Sequence, residues 1–158
     1  MMKDKRPPLL VVEDSDEDFA VLDRIMKQHC DVSVMLTRCT DGDDALDYLY
    51  RQGPYAEMDV FTPGLIVLDL NLPGTDGREV LAQIKSDDRL KTIPVVVFTT
   101  SSSPSDIEIC YRAGVNSYML KRMNLEQLKV SVQLFFDYWF KAALLPSRAA
   151  SSSAHFTV

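Results

Sequence analysis

An α/β domain on a parallel sheet is predicted by three observations: short apolar runs recur along the chain, amphipathic segments of helical period separate them, and polar residues close the runs at matching ends. The first run, Leu9–Val12, is continuous, as a strand covered on both faces must be. Ser15 then supplies an N-cap, and Asp18 places negative charge at the helix start. Phe19, Leu22, Ile25 and Met26 follow at helical spacing. Val32–Cys39 alternates and reads as a second strand nearer the edge, and Asp43–Arg51 reads as the second helix through Ala45, Leu46, Tyr48 and Leu49.

Gly53–Pro63 is longer than the usual connection, and its Gly-Pro and Thr-Pro steps predict an ordered insertion. Leu65–Leu68 is the third strand, Glu79–Lys85 the third helix and Pro94–Phe98 the fourth strand. Ser103 and Pro104 open the fourth helix with N-cap and first-turn chemistry, and Gly114 closes it. Ser117–Leu120 is a short fifth strand, and Asn124 caps the last helix with Gln127 in the capping-box position. One domain over residues 1–146 is expected, with the Ser/Ala-rich stretch 147–158 disordered.

Composition limits the function. A chain of 158 residues with 46% apolar and 25% charged residues suits one packed domain. A net charge of −6 argues against nucleic acid or an anionic membrane as partner. No apolar run is long enough to span a bilayer, and Met1–Pro8 does not resemble a signal peptide, so a cytoplasmic location is expected. Cys30, Cys39 and Cys110 form no Cys-x-x-Cys pair and read as reduced, partly buried thiols.

The chemistry lies where polar residues interrupt the strands. Glu13 and Asp14 follow the first run, Asp69 the third, Thr99 the fourth and Lys121 the fifth. Carboxyl ends of strands in an open α/β sheet line the crevice where ligands bind, so these residues are expected at one rim. Three carboxylates crowded together stay ionised only beside a cation, and an all-oxygen set without histidine or cysteine suits a hard ion such as Mg²⁺. Beside it, a carboxylate can attack phosphorus to give an aspartyl-phosphate, with the Thr99 hydroxyl and Lys121 ammonium balancing the phosphoryl charge. Taken singly, each residue also reads as an inert polar group at a strand-to-loop boundary.

At these residues the chain resembles the receiver domains of bacterial response regulators. The resemblance is carried by Val11-Val12-Glu13-Asp14, Leu68-Asp69-Leu70-Asn71-Leu72-Pro73-Gly74, Val97-Phe98-Thr99-Thr100-Ser101 and Tyr118-Met119-Leu120-Lys121, and spans Leu9 to Lys141. It implies a flavodoxin-like, doubly wound five-stranded parallel sheet of order 2-1-3-4-5. It also implies Asp69 as phosphoacceptor; Asp14 as direct and Glu13 as water-mediated metal ligand, with Asp69 and the Asn71 backbone carbonyl; Thr99 and Tyr118 as the switch pair; and Lys121 as the phosphoryl counter-charge. No output domain is visible, so signalling is expected through protein contacts rather than as an enzyme acting on other substrates. The insertion around Gly53–Pro63, the Asn71–Gly77 loop and the Phe136-Asp137-Tyr138-Trp139-Phe140…Leu145-Pro146 tail are similar to single-domain regulators that pair with phytochrome-type sensor histidine kinases.

The family usually places proline after its lysine, in a cis peptide; here Arg122 follows, and cis before a non-proline costs about 2.5–4 kcal/mol. Lys121 is therefore expected on a trans peptide with an altered approach to the pocket. That departure sustains an alternative reading, a phosphorylation-independent dimeric pseudo-receiver scaffold. An aspartate-nucleophile phosphatase fits less well, because Asn71 stands where such enzymes carry a second aspartate.

A helix from Asn124 to Lys141 would run about 27 Å. Leu125, Leu128, Val132, Phe135 and Trp139 form a stripe for the sheet, leaving Leu134, Phe136, Tyr138, Phe140, Leu144 and Leu145 on other faces. Apolar surface in that excess predicts a homodimer through the last helix and the arm after it. Folding back over its own domain is the alternative.

Overall fold

Strand β1 (Leu9–Val12) is buried along its whole length and pairs in parallel with β2 (Leu36–Cys39) on one side and β3 (Leu65–Leu68) on the other. β4 (Val95–Thr99) and β5 (Ser117–Leu120) complete a five-stranded sheet of order β2-β1-β3-β4-β5. The computed structural model describes residues 6–29 and 34–146. The doubly wound parallel arrangement is the expected one.

Alternation along the strands sorts the helices. Leu10, Val12, Ile66, Leu68, Val95 and Val97 face one core, with α2 (Gly42–Tyr50), α3 (Gly77–Ser86) and α4 (Pro104–Ala113) over it. Leu9, Val11, Leu65, Val67, Val96 and Phe98 face the other, covered by α1 (Asp16–His29) and α5 (Leu125–Phe136). Successive side chains of a strand point to opposite faces, so each central strand serves both cores.

β3 and β5 have the bounds expected from their sequence. β2 begins at Leu36 rather than Val32, and residues 30–33, with Cys30, lie outside the described residues, as does the 147–158 tail. Cys39 and Cys110 are buried free thiols; burial, with Asp44 close by, pushes the Cys39 thiol up to about 12. α3 starts at Gly77, two residues before the expected Glu79. Glycine is a poor helix former, yet a Cβ there would lie 2.2 Å from the Asp69 carbonyl oxygen, so close packing overrides propensity. Asp76 caps this helix, accepting from the Arg78 backbone N–H at 2.8 Å. α4 has its expected boundaries: the Ser103 hydroxyl accepts from Asp106 N–H, Pro104 opens the helix, and Gly114 closes it at φ 101°.

The insertion is ordered. A 3₁₀ turn at Gly53–Tyr55 is tied down by the Tyr55 hydroxyl donating to Asp44 at 2.7 Å, the Tyr48 hydroxyl donating to the Phe61 carbonyl at 2.9 Å, and Arg51 donating to the Val60 carbonyl at 3.0 Å.

The C-terminal helix departs from expectation. α5 ends at Phe136 and continues as one wide turn over Asp137–Ala142, where Ala143 N–H reaches back five residues to the Tyr138 carbonyl at 2.7 Å. A π turn holds an extra residue and re-phases the side chains beyond it. Phe136, expected on an outer face, precedes that turn and lies one α-helical turn after the buried Val132; it is fully buried and stacks on Phe140, ring centroids 4.9 Å apart. Phe140 and Leu145 also pack on the chain's own α1/α5 core. Leu125, expected against the sheet, is exposed instead, at the first residue of α5. Of the outward candidates, Leu134, Tyr138 and Leu144 remain exposed.

Candidate functional site

The strand ends converge as expected. Glu13 and Asp14 leave β1, Asp69 leaves β3, Thr99 is the last residue of β4, and Lys121 leaves β5. The ladder continues past the strands and fixes these backbones: Glu13 N–H donates to the Cys39 carbonyl at 3.0 Å, Asp69 N–H to Val12 at 3.0 Å, and Lys121 N–H to Thr99 at 2.7 Å. Carboxylate oxygens of Glu13, Asp14 and Asp69 lie within 4.8 Å of one another. Glu13 and Asp69 are buried and Asp14 is exposed, so the cluster has a closed floor and an open rim.

Lys121 Nζ lies 2.8 Å from Asp69 Oδ2 and 2.9 Å from Asp18 Oδ2, and pairs with Glu13 as well. No cis peptide occurs among the described residues, so Lys121 reaches the carboxylates from a trans peptide. Burial alone would depress the Lys121 ammonium, but hydrogen bonds to Asp69, Glu13 and Asp18 outweigh it and raise its pKa. Glu13 is pushed up to about 7, first by burial, with Lys121 opposing and the Asp69 charge adding to the rise. Two buried carboxylates beside one ammonium leave surplus negative charge, which is the electrostatic condition for cation binding. The donors are all oxygen, so this cluster fits a hard divalent ion.

Asn71 lies two residues beyond Asp69, its N–H donating to Asp69 Oδ1 at 3.3 Å. Thr99 is fully buried, and its hydroxyl oxygen accepts a long 3.4 Å bond from Ser101 N–H. The Tyr118 ring packs against the core and its hydroxyl donates to the Ser101 carbonyl at 2.8 Å, so Tyr118 points inward.

Two residues that sequence reasoning passed over belong here. Asp18, read only as a helix-start acid, is a third partner of Lys121. Arg38 of β2 donates from Nε to the Glu13 carbonyl at 3.0 Å, pairs with Asp16 at 2.7 Å and lies over the Phe19 ring, 4.8 Å from its centroid. Neither has a local signal, since their partners are set by β1–β2 pairing and by the approach of β5 to α1.

This fold, with acidic residues, hydroxyl and lysine at the strand ends, defines a phosphorelay switch domain, and the chain belongs to the response regulator receiver domain family, whose pattern matches residues 9–133. It is a response regulator domain of the two-component type. The chain is 41% identical over 150 residues to the response regulator Rcp1 of Synechocystis sp., covering 93% of this chain and 99% of Rcp1. Its fold matches the Mn²⁺-bound form of response regulator Rcp1 with a TM-score of 0.84 at 40% identity, over 89% of this chain and 99% of that one. It also matches the phosphorylated cyanobacterial phytochrome response regulator RcpA, with a TM-score of 0.83 at 42% identity, over 90% of this chain and 99% of that one. Among the described residues, no helix is long and apolar enough to cross a membrane.

Proposed function

We propose that this domain accepts a phosphoryl group on Asp69 from a phytochrome-type sensor histidine kinase and signals by protein contact. The observation that carries the reading is the ion pair of Lys121 with Asp69 inside the Glu13–Asp14–Asp69 cluster, with the buried Thr99 at the neighbouring strand end. An Asp69 carboxylate oxygen attacks phosphorus, the P–N bond to the kinase imidazole breaks, and that nitrogen keeps the bonding pair. Mg²⁺ is the proposed ion: Asp14, Asp69 and the Asn71 carbonyl would hold it directly and Glu13 through water, and it would supply positive charge to neutralise the phosphoryl oxygens. Lys121 pairs with one phosphoryl oxygen, and the Thr99 hydroxyl donates to another. Tyr118 follows Thr99 and reports the change at the surface.

The similarity to Rcp1 and RcpA supports the kinase assignment, and the intact pocket favours a switch over a pseudo-receiver scaffold. Intact mass after incubation with acetyl phosphate and Mg²⁺ tests the chemistry. A single phosphoryl gain is expected in the wild type and none in Asp69→Asn; equal gains, or none in either, would reject the assignment.

A homodimer through the last helix and its arm is part of this proposal and rests on the exposed Leu134, Tyr138 and Leu144, since Phe136 is buried and Phe140 and Leu145 pack on the chain's own core. Light scattering at tens of micromolar is expected to give twice the chain mass, and Leu134→Glu/Leu144→Glu to give the chain mass. A cytoplasmic location accords with this partner set.

A further inference from the structure

Arg78 stands where two loops meet. Its Nε donates to Asp106 Oδ1 at 2.8 Å, across from the first turn of α3 to the first turn of α4. Its Nη1 donates to both oxygens of Asp76, the α3 cap, at 3.1 and 3.0 Å. The other Asp106 oxygen, Oδ2, accepts the Ser101 hydroxyl at 2.6 Å. Ser101 is the residue whose N–H reaches Thr99 and whose carbonyl receives Tyr118. On the α3 side, Gly77 N–H bonds the Leu70 carbonyl at 3.0 Å, and the helix start sits so near the Asp69 carbonyl that no Cβ fits.

An unbroken chain of bonds therefore joins the loop bearing Asp69 to the loop bearing Thr99: Leu70, Gly77, Arg78, Asp106, Ser101. The Arg78 and Asp106 side chains are 27% and 18% exposed, shielded enough for the pair to outweigh ordinary surface ion pairs. The Arg78 bond, then the Ser101 hydroxyl, hold the Asp106 carboxyl down to about 2, so it stays ionised. Ser101 N–H occupies a lone pair of the Thr99 hydroxyl oxygen, which leaves the hydroxyl hydrogen to be donated into the pocket.

We propose that Arg78 and Asp106 are positioning residues that latch the β4–α4 loop to the loop carrying Asp69, holding Ser101, Thr99 and Tyr118 in the arrangement that favours a phosphoryl group in the pocket. The proposal rests on Asp69, Thr99 and Tyr118 acting as proposed above. Asp106 does not touch the phosphoryl group; it acts through Ser101. Breaking the latch frees the loop and weakens phosphoryl-like ligands, because a ligand that favours one arrangement binds less well when that arrangement is less populated.

Two measurements on folded full-length protein test this: amide hydrogen exchange without ligand, and affinity for beryllium fluoride, a tetrahedral phosphoryl mimic, in Mg²⁺. Asp106→Asn and Ser101→Ala are each expected to speed exchange over residues 99–106 about tenfold, with β1 and β3 unchanged. Both are expected to weaken beryllium fluoride about fivefold, a typical coupling between sites. Arg78→Lys is expected to do the same in part, since an ammonium cannot span Asp76 and Asp106 as a guanidinium fork does. Asp88→Asn, which removes an exposed ion pair to Lys91, is the control expected to change neither. Unchanged affinity in both Asp106→Asn and Ser101→Ala would overturn the proposal, even with faster exchange, because the pair would then be merely structural. Failure of the wild type itself to bind beryllium fluoride would instead reject the reading of the pocket, and the latch with it.

Discussion

Lys121 Nζ lies 2.8 Å from Asp69 Oδ2, with Arg122 following Lys121 and no cis peptide among the described residues. The β4–β5 ladder explains this reach: Thr99 pairs with Leu120, and Lys121 N–H extends the pairing to the Thr99 carbonyl at 2.7 Å. The lysine is thus aimed by the sheet, and a flexible stem covers the remaining distance.

Lys121→Met keeps the stem and removes the charge. Glu13 and Asp69 are then buried without their cation, which is expected to lower stability in EDTA by about 3 kcal/mol, the usual result of orphaning one side of a buried pair. Mg²⁺ is expected to restore most of it. Urea unfolding of wild type and variant, with EDTA and with Mg²⁺, checks this; a loss independent of Mg²⁺ would contradict the shared electrostatics.

Asp14 is exposed, so Asp14→Asn is expected to leave the ion-free protein as stable as wild type while abolishing the rise in Tm that Mg²⁺ gives. Thermal unfolding over a Mg²⁺ series measures both. A surviving Mg²⁺-dependent rise would remove Asp14 from the ligand set.

Gly77→Ala places a Cβ 2.2 Å from the Asp69 carbonyl oxygen and 2.6 Å from the Leu70 Cα. Both obstacles are backbone, so α3 must shift, and the expected loss is about 2 kcal/mol, as for overpacking in a core. Phosphoryl uptake is expected to slow as well, since the obstacle is the Asp69 loop. Denaturant midpoints and uptake rates measured together check the pair.

Asp106 gives a pH signature. Its folded pKa of about 2 lies below the ordinary value of 3.8, so the pair with Arg78 stabilises fully above about pH 4 and loses that contribution as pH falls towards 2. The stability gap between wild type and Asp106→Asn is therefore expected to be constant from pH 7 to about 5 and to shrink below 4. Urea midpoints across that range measure it; a gap that widens on acidification would contradict the assignment.

Much of this could be read from the chain because it is local. Leu65–Leu68 and Ser117–Leu120 are short runs bounded by turn chemistry, and Ser103, Pro104 and Gly114 mark α4 by backbone preferences that operate wherever they occur. The pocket was legible for a related reason: parallel strands end at a common rim, so the polar residue after each run is placed by topology before any contact is known. The start of α3 was missed because Gly77 is chosen for its closeness to Asp69, which no helix propensity records. Phe136 lies inward because it shares a face with the buried Val132 one turn earlier, and its place is decided by how α5 seats on the sheet and by the Phe140 ring that the wide turn folds back over it.

By itself, then, the order of residues determined the sheet, its helices and the five side chains at its rim, since periodicity, caps and strand ends are short-range properties. The tertiary structure alone decided that Lys121 meets Asp69 and Asp18, that Arg78 bridges Asp76 and Asp106, and that Phe136 turns inward. The Lys121 pairs and the Arg78–Asp106 pair join elements distant in sequence, and Phe136 is covered by the core that α1 and α5 build and by Phe140; both depend on how finished helices seat against the sheet, which only the packed fold determines.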